Sequence, residues 1–245
     1  MILNMRIGSG SSDNSAPLDF TYTGEYRLDG SISGDWTLTL LTSGTLTFYS
    51  LGTNVYTTDV FLVGGGGNGE SGSATWYGGA GGGSGYTTTL IGKMLEKNTP
   101  YTVAIGGAQG TTSAFGLTAA GGSGKSGKRN GGAGCEGGFY DATWGYGAGV
   151  ATAGTDGEYA FGDSTFNHAL GAGYKFAASG GGGAGTTEYG PGTPRDGGVN
   201  GGGKGTAKSN GGAASVNSGS GGGGCGGGYS GGAGGSGIVI IRNTR

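Results

Sequence analysis

The sequence has few large apolar side chains and little clustered charge. Hydrophobic residues make up 33% of its 245 positions, which is low for a globular chain. Most of them lie in the first 120 residues, so a conventional core is expected only in that part of the chain. The formal net charge is −2, which argues against a nucleic-acid partner because such proteins carry a clustered basic face.

Long apolar segments are also missing. No run of about 18 apolar residues occurs, so the sequence predicts no membrane span. Residues 1–6 lack the apolar stretch of a secretory signal. The chain is therefore expected to be made in the cytoplasm without a signal peptide.

Cysteine and histidine are scarce. Cys135 and Cys225 lie within glycine runs and lack the spacing of metal ligands. They are expected to be small buried thiols, with a disulfide between two glycine segments as the alternative. His168 is the only histidine, and although Asp163 lies nearby in sequence, a lone loop histidine is usually a bystander rather than a member of a Ser-His-Asp site.

Three short motifs match enzyme patterns only in spacing. Residues 64–69 fit the dinucleotide-binding Gly-x-Gly-x-x-Gly, but no helix can follow them. Gly124-Lys125-Ser126 resembles the end of a phosphate-binding loop, again without its helix. Residues 228–232 fit the turn around a nucleophilic serine, yet glycines occupy the places of its strand and helix. Neither an enzymatic activity nor a cofactor or metal site is predicted.

Glycine is the residue that the sequence has in abundance. It fills 69 of 245 positions, with runs at residues 64–67, 81–83, 180–183, 201–203, 221–224 and 226–228. Glycine loses more conformational freedom on folding than any other residue. An ordered glycine field therefore needs a compensating reason, and close approach of main chains supplies one.

Extended helices with three residues per turn have no internal hydrogen bonds. When several lie side by side, each N–H and C=O can pair with a neighbouring helix. The sequence therefore predicts a bundle of polyglycine-II helices. The alternative is disorder, which glycine-rich composition often indicates, but segments that resemble ordered strands bracket the glycine field.

Alternating apolar and polar residues predict β-strands on both sides of this field. Residues 36–40 and 45–48 flank Thr42-Ser43-Gly44 and predict a hairpin. Further strands are predicted at residues 55–57, 60–63, 86–91, 101–105 and 113–120. Ile238-Val239-Ile240-Ile241 is a continuous apolar run, which is typical of a strand at the centre of a sheet.

These patterns predict a mainly β chain, a β-sandwich with an inserted bundle of polyglycine-II helices and almost no α-helix. The predicted parts are an N-terminal attachment segment or linker at residues 1–17, sandwich strands with a first glycine loop (64–85) at 18–120, the glycine bundle with recognition loops at 121–236, and a C-terminal strand at 237–245 that returns to the sandwich.

Several segments together resemble a known family. They are residues 60–67, 81–86, 101–107, 113–116 and the closing stretch 234–242, which ends in Ile238-Val239-Ile240-Ile241-Arg242. They resemble the glycine-rich domain of tailed phages, prophages and bacterial surface proteins. Related domains with polyglycine-II helices lie at phage tail-fibre tips, and the glycine-rich domain of anaplastic lymphoma kinase is similar in architecture. The resemblance implies a jelly-roll-like sandwich that carries a polyglycine-II bundle, with loops that recognise a host surface.

Aromatic residues are concentrated in the loops between glycine runs, and nine of them lie within residues 139–176. Rings give rigid contact area and neighbouring acids accept hydroxyl protons, which suits recognition of sugars or of a protein surface. The candidate receptor-binding residues are Trp76, Tyr77, Phe139, Tyr140, Asp141, Trp144, Tyr146, Tyr159, Phe161, Tyr189 and Arg195. The alternative is that these rings cap the bundle and form a small core of their own.

The sequence thus predicts a non-enzymatic adhesin on a virion tail or bacterial surface. This adhesin is expected to bind a glycan or a protein on the host surface. Its N-terminal segment is expected to join a tail-fibre shaft or another virion protein. The alternative function is structural: a spike or surface protein whose glycine bundle serves mechanical stability.

Overall fold

The structure is a computed structural model and describes residues 16–72, 78–123, 157–166, 168, 170–178, 180, 186–187, 190–191 and 194–244. In these residues the chain is mainly β, and its one helical element is the short 3-10 turn Ala160–Gly162. The predicted fold class is confirmed. Most of the predicted attachment segment lies outside the described residues, and the domain boundaries stay predictions.

The longer strands form two antiparallel sheets. In chain order the strands are β1 (Leu18–Tyr22), β2 (Tyr26–Gly30), β3 (Trp36–Leu40), β4 (Gly44–Leu51), β5 (Thr57–Val63), β6 (Thr87–Lys93), β7 (Pro100–Val103), β8 (Thr112–Ala114), β9 (Leu117–Ala119), β10 (Glu158–Tyr159), β11 (Lys175–Phe176), β12 (Thr186–Thr187), β13 (Gly190–Pro191) and β14 (Ile238–Thr244). One sheet has the order β1-β4-β7 and the other β2-β3-β14-β5-β6. The remaining strands pair in twos, β8 with β9, β10 with β11 and β12 with β13.

The main hydrophobic core lies between the two sheets. Leu46 and Phe48 of β4 belong to one buried cluster with Leu38 and Leu40 of β3. Alternate residues of each strand enter this cluster because side chains alternate across a pleated strand. Burying each such Leu or Phe contributes roughly 1.5–3 kcal/mol, so this layer stabilises the sandwich.

The predicted hairpin of residues 36–40 and 45–48 is wrong. β3 pairs with β2 and β14, whereas β4 pairs with β1 and β7. The two strands lie in different sheets and face each other across the core instead of lying edge to edge. The connecting residues bond elsewhere: Thr42 Oγ1 accepts from the amide of Glu25 at 2.7 Å, and Ser43 Oγ accepts from the amide of Ile105 at 2.9 Å.

β14 occupies the centre of the five-stranded sheet, as its continuous apolar run predicted. It pairs with β3 on one side and with β5 on the other. Val239 and Ile241 enter the main core, while Ile238 and Ile240 enter a second core on the opposite face of the sheet. Because residues 160–177 contribute side chains to that second core, both faces of β14 are buried and no alternate position in the run is polar.

The glycine region continues directly from three neighbouring strands of the five-stranded sheet. β5 runs into residues 64–70, residues 79–85 lead into β6, and residues 231–237 lead into β14. A fourth glycine segment, residues 218–226, lies among these three and bonds to each of them. The sheet and the glycine segments are therefore parts of one framework.

Hydrogen bonds along residues 218–226 repeat every three residues. The carbonyls of Gly219, Gly222 and Cys225 accept bonds of 2.8, 2.7 and 2.6 Å from amides of residues 79–85. The carbonyls between them accept from other segments, so successive residues point about 120° apart, as in a helix with three residues per turn. This segment is the centre of a polyglycine-II array.

Six parts of the chain surround this central segment. Its main-chain partners lie in residues 67–70, 79–85, 177–178, 203–206, 212 and 231–237. Glycines 221–224 avoid positive φ, as expected for an extended left-handed helix. The predicted bundle is confirmed, and it includes residues 64–70 and 79–85, which the sequence interpretation had assigned to a loop of the sandwich.

Cys225 lies in the central segment as a buried free thiol. Its Sγ donates a hydrogen bond to the carbonyl of Tyr229 at 2.6 Å. The structure thus agrees with the interpretation of this residue as a small buried thiol. Cys135 lies outside the described residues.

The bundle leaves no room for side chains at its centre. A Cβ on Gly222 would lie 2.0 Å from the carbonyl oxygen of Gly232, and a Cβ on Gly107 would meet nothing within 4 Å. We expect Gly222→Ala to lower the free energy of unfolding by about 3 kcal/mol or more, because main chain must move to admit the methyl group. We expect Gly107→Ala to be neutral or to stabilise by about 0.5 kcal/mol. Urea unfolding of both variants measures the contrast, and equal effects would contradict the packing.

Thr39 of β3 is fully buried and its hydroxyl oxygen has no hydrogen-bond partner in the structure. A buried polar group without a partner costs free energy, and valine has the same shape without the hydroxyl. We expect Thr39→Val to raise the free energy of unfolding by about 1 kcal/mol. Thermal and urea unfolding test this, and a destabilised variant would show that the hydroxyl is bonded.

Candidate functional site

The predicted receptor-binding residues fall into two groups. Tyr159, Phe161 and Arg195 are described by the structure. The others lie outside the described residues, namely Trp76, Tyr77, Phe139, Tyr140, Asp141, Trp144, Tyr146 and Tyr189. For those eight residues the receptor-binding role stays a prediction.

Phe161 packs against the five-stranded sheet as part of the second core. Its ring lies 5.8 Å from that of Phe61 and 5.1 Å from that of Phe166, measured between centroids. Tyr174 and Phe176 continue the same cluster. These rings match the alternative interpretation of a small aromatic core, which the sequence left open beside a binding role.

Tyr159 and Arg195 lie in different parts of the molecule. Tyr159 belongs to β10, and the Lys175 ammonium lies 5.5 Å from the centroid of its ring. Arg195 is exposed, and its carbonyl accepts a hydrogen bond of 2.8 Å from the amide of Gly205 in the bundle. The structure therefore does not assemble the three described candidates into one site.

The end of the bundle away from the sheet forms a surface of its own. We call it the distal tip and define it as residues 70–72, 78–79, 206–211 and 226–231. Six residues separate Gly64 from Glu70, a rise of about 19 Å in this type of helix. Hydrogen bonds from Gly79 to Cys225 and from Cys225 to Glu70, 2.6 and 3.2 Å long, hold the helix ends together at this level.

Turns of the distal tip present polar and aromatic side chains to solvent. Tyr229 is 44% exposed, and Lys208, Ser209 and Asn210 are exposed beside it. The Asn210 side chain fixes the two turns to each other, since its Oδ1 accepts from the amide of Ser230 at 3.1 Å. Trp76 and Tyr77 lie in sequence between the tip positions 72 and 78.

His168 and Asp163 do not form a catalytic pair. Nδ1 of His168 accepts a hydrogen bond of 3.2 Å from the amide of Leu170. Asp163 accepts from the hydroxyl and the amide of Thr165, at 2.7 and 2.8 Å, and these bonds lower the pKa of its carboxyl. His168 instead packs between Phe166 and Phe176, with ring centroids 5.6 and 5.1 Å away.

A polar groove lies at the other end of the five-stranded sheet. Arg242 follows the apolar run of β14, and its Nε donates to Oδ2 of Asp59 on β5 at 2.9 Å. The guanidinium carbon lies 4.2 Å from the centroid of Phe161 and 5.2 Å from that of Phe166. Arg242 therefore connects the sheet to the segment that covers the second core.

Sequence reasoning did not single out this groove. The available signal was that Asp59 directly precedes one apolar strand run and Arg242 directly follows another. In adjacent antiparallel strands, such positions become neighbours once the register is known. The register is what the sequence alone did not supply.

Comparison with known proteins gives one family match. A family model described as a glycine-rich domain matches residues 41–244. A search of curated proteins found no match. Within the described residues, no helix is long and apolar enough to cross a membrane, and no cluster of three or more His, Cys, Asp or Glu side chains is placed to hold a metal ion.

His168 makes the stability of the fold dependent on pH. Burial lowers the pKa of its imidazole, and the carboxylate of Asp29 opposes this shift only in part. The unfolded chain therefore binds the proton more tightly, and the free energy of unfolding should fall as the pH drops below about 6.5. We expect His168→Phe, which keeps an aromatic ring, to flatten this dependence between pH 5 and 7. Urea unfolding across that range measures it, and parallel curves for the two proteins would contradict the assignment.

Proposed function

Since the chain belongs to the glycine-rich domain family, we propose that it is a non-enzymatic receptor-binding module, an adhesin at the tip of a phage or prophage tail fibre. The distal tip and the aromatic loops contact a host-surface glycan or an outer-surface protein. The N-terminal segment joins a tail-fibre shaft or another virion protein. The module acts on a virion tail or at a bacterial surface.

The observation that carries this proposal is the continuous path from sheet to tip. Three adjacent strands, β5, β6 and β14, extend as glycine helices whose ends carry the turns of the distal tip. Many of their amides and carbonyls bond to neighbouring helices. Loops held by such a framework lose little conformational entropy on binding, which favours affinity.

The side chains at the tip suit surface recognition. Tyr229 offers a rigid ring with a hydroxyl group, and Lys208 and Asn210 offer hydrogen-bond donors beside it. Aromatic residues of this kind supply contact area at low entropic cost in binding loops.

The alternative function is a structural spike or surface protein. The observation that favours it is the density of main-chain hydrogen bonds around residues 218–226, which join six parts of the chain. In this case the tip side chains cap the bundle and bind nothing. The two functions differ in whether changes at the tip alter attachment.

Binding of the fluorescently labelled protein to intact cells of a panel of bacterial strains, measured by flow cytometry, tests the proposal. We expect Tyr229→Ala, and Trp144→Ala combined with Tyr146→Ala, each to reduce binding about tenfold, as loss of a central aromatic contact does. The control is Tyr56→Ala, because Tyr56 is 64% exposed and precedes β5 at the end of the sheet opposite to the bundle.

Three results decide between the functions. Loss of binding in Tyr229→Ala and in the double variant of Trp144 and Tyr146, with Tyr56→Ala unchanged and the thermal unfolding of all variants intact, supports the adhesin. An absence of binding to every strain supports the structural function. Equal binding of wild type and all variants would also overturn the role of the tip.

A further inference from the structure

Four polar side chains form one row across the five-stranded sheet, at the end away from the bundle. Asp29 of β2 is paired with Thr37 of β3, Thr37 with Arg242 of β14, and Arg242 with Asp59 of β5. The row lies on the face that carries the second core, since Leu38, Val60 and Ile241 next to these positions all enter the main core. The row is polar, whereas Phe61, Ile238 and Ile240 further along the same face are apolar and belong to the second core.

An open groove of about 400 Å³ lies over three members of this row, Thr37, Arg242 and Asp59. Its lining residues are Asp35, Trp36, Thr37, Asp59, Phe166, Arg242 and Asn243. The volume falls within the range of small-molecule sites, roughly 300–1,000 Å³. The groove therefore has the size of a site for one small ligand or one sugar ring.

The walls of the groove are fixed by contacts behind them. The side chain of Asp59 is 4% exposed and accepts from the Arg242 Nε at 2.9 Å and from the amide of Gly92 at 3.0 Å. The side chain of Asn243 accepts from the amide of Trp36 and donates to the carbonyl of Gly34, both at 3.0 Å. These groups are oriented before any ligand arrives, which lowers the entropic cost of binding.

Several hydrogen-bond donors and acceptors of the row have no partner among the described residues. The Thr37 hydroxyl and the terminal nitrogens of Arg242 have no hydrogen-bond partner among the described residues. Oδ2 of Asp29 is buried and also lacks one. Asp29 does not line the groove, but a molecule there that both donates and accepts hydrogen bonds can pair with the Thr37 hydroxyl and the Arg242 nitrogens.

We propose that this groove is a second binding site, which takes a neutral sugar ring. The Phe166 ring contacts the apolar face of the sugar, the Arg242 guanidinium donates to its hydroxyl oxygens, and the Thr37 hydroxyl and the Asp35 carboxylate accept hydroxyl protons. A ring with an apolar face and several hydroxyl groups matches this combination of donors, acceptors and aromatic surface.

The charges around the groove disfavour an anionic ligand. Asp59 already neutralises Arg242, so no cationic group is left to attract an anion. Asp35 adds negative charge at the rim, which opposes an anion further. The Arg242 guanidinium donates hydrogen bonds but cannot accept them, so a ligand that only donates gains no bond from it.

The groove lies at the opposite end of the sheet from the distal tip, so this site is independent of the proposed adhesin surface. Arg242 and Asn243 follow the apolar part of β14, whereas the bundle begins on the other side of Ile238. Sugar binding here can therefore succeed or fail whatever the outcome of the cell-binding test.

Nuclear magnetic resonance titration of the ¹⁵N-labelled protein tests the proposal. The Nε–H signal of Arg242 is the reporter, because its hydrogen bond to Asp59 protects it from exchange, and the spectrum of Arg242→Lys assigns it. The probes are the methyl glycosides of glucose, galactose and mannose, with N-acetylneuraminic acid as the anionic probe and lysine methyl ester as the cationic probe. We expect at least one neutral glycoside to shift this signal with a Kd on the order of 1–10 mM, as suits a single ring in an open groove.

Two valine variants provide the decisive comparison. Thr37→Val removes the hydroxyl at the groove and keeps a β-branched side chain, so we expect it to weaken sugar binding about fivefold. Thr39→Val is the matched control two positions along the same strand and face, where the hydroxyl is fully buried and does not line the groove. It should bind the sugar as wild type does, and thermal unfolding confirms that both variants fold.

The proposal is overturned if no neutral glycoside shifts the Arg242 signal at concentrations of about 50 mM, well above the expected Kd. It is also overturned if Thr37→Val binds the sugar as tightly as wild type. A shift produced only by the anionic or only by the cationic probe would replace the sugar with an ion as the ligand.

Discussion

Main-chain contact without intervening side chains is the constraint on which the structure depends. Around residues 218–226, amides and carbonyls of neighbouring segments meet at hydrogen-bond distance on every side, and a single methyl group on Gly222 would collide with a carbonyl oxygen. Each such bond contributes about 1 kcal/mol net, while ordering the backbone of one residue costs about 1–2 kcal/mol. The bundle alone is therefore marginal, and it needs the sandwich core to anchor its strands.

That anchoring gives the molecule two different ends. At one end, the strands β5, β6 and β14 pass into glycine helices that terminate in exposed turns. At the other end, Arg242, Asp59 and the rings of Phe161 and Phe166 tie the covering segment to the sheet. The centre of the bundle between them has no space for side chains.

The sequence predicted those features that depend on local composition. The apolar run at Ile238 to Ile241 identified a central strand, and the glycine runs identified helices that pack through their main chains. The prediction from sequence failed where strand pairing depends on residues that are distant in the chain. Thr42-Ser43-Gly44 resembled a hairpin turn, but the flanking strands pair elsewhere, β3 with β2 and β14 and β4 with β1 and β7. The polar groove was equally hidden, since its strand residues come from β3, β5 and β14, whose register no local pattern records.

The position of β14 in the sheet has a consequence for how the chain folds. The hydrogen bond from the amide of Trp36 to Asn243 spans 207 residues. Both β3 and β5 pair with β14, which is synthesised after all the other strands. During synthesis, the five-stranded sheet therefore stays open at its middle until the ribosome has made the entire glycine region. Closure over such separations is slow, and the waiting edges are exposed to wrong partners. Glycine has no apolar side chain, so the glycine-rich segments made during this period offer little surface for wrong hydrophobic contacts.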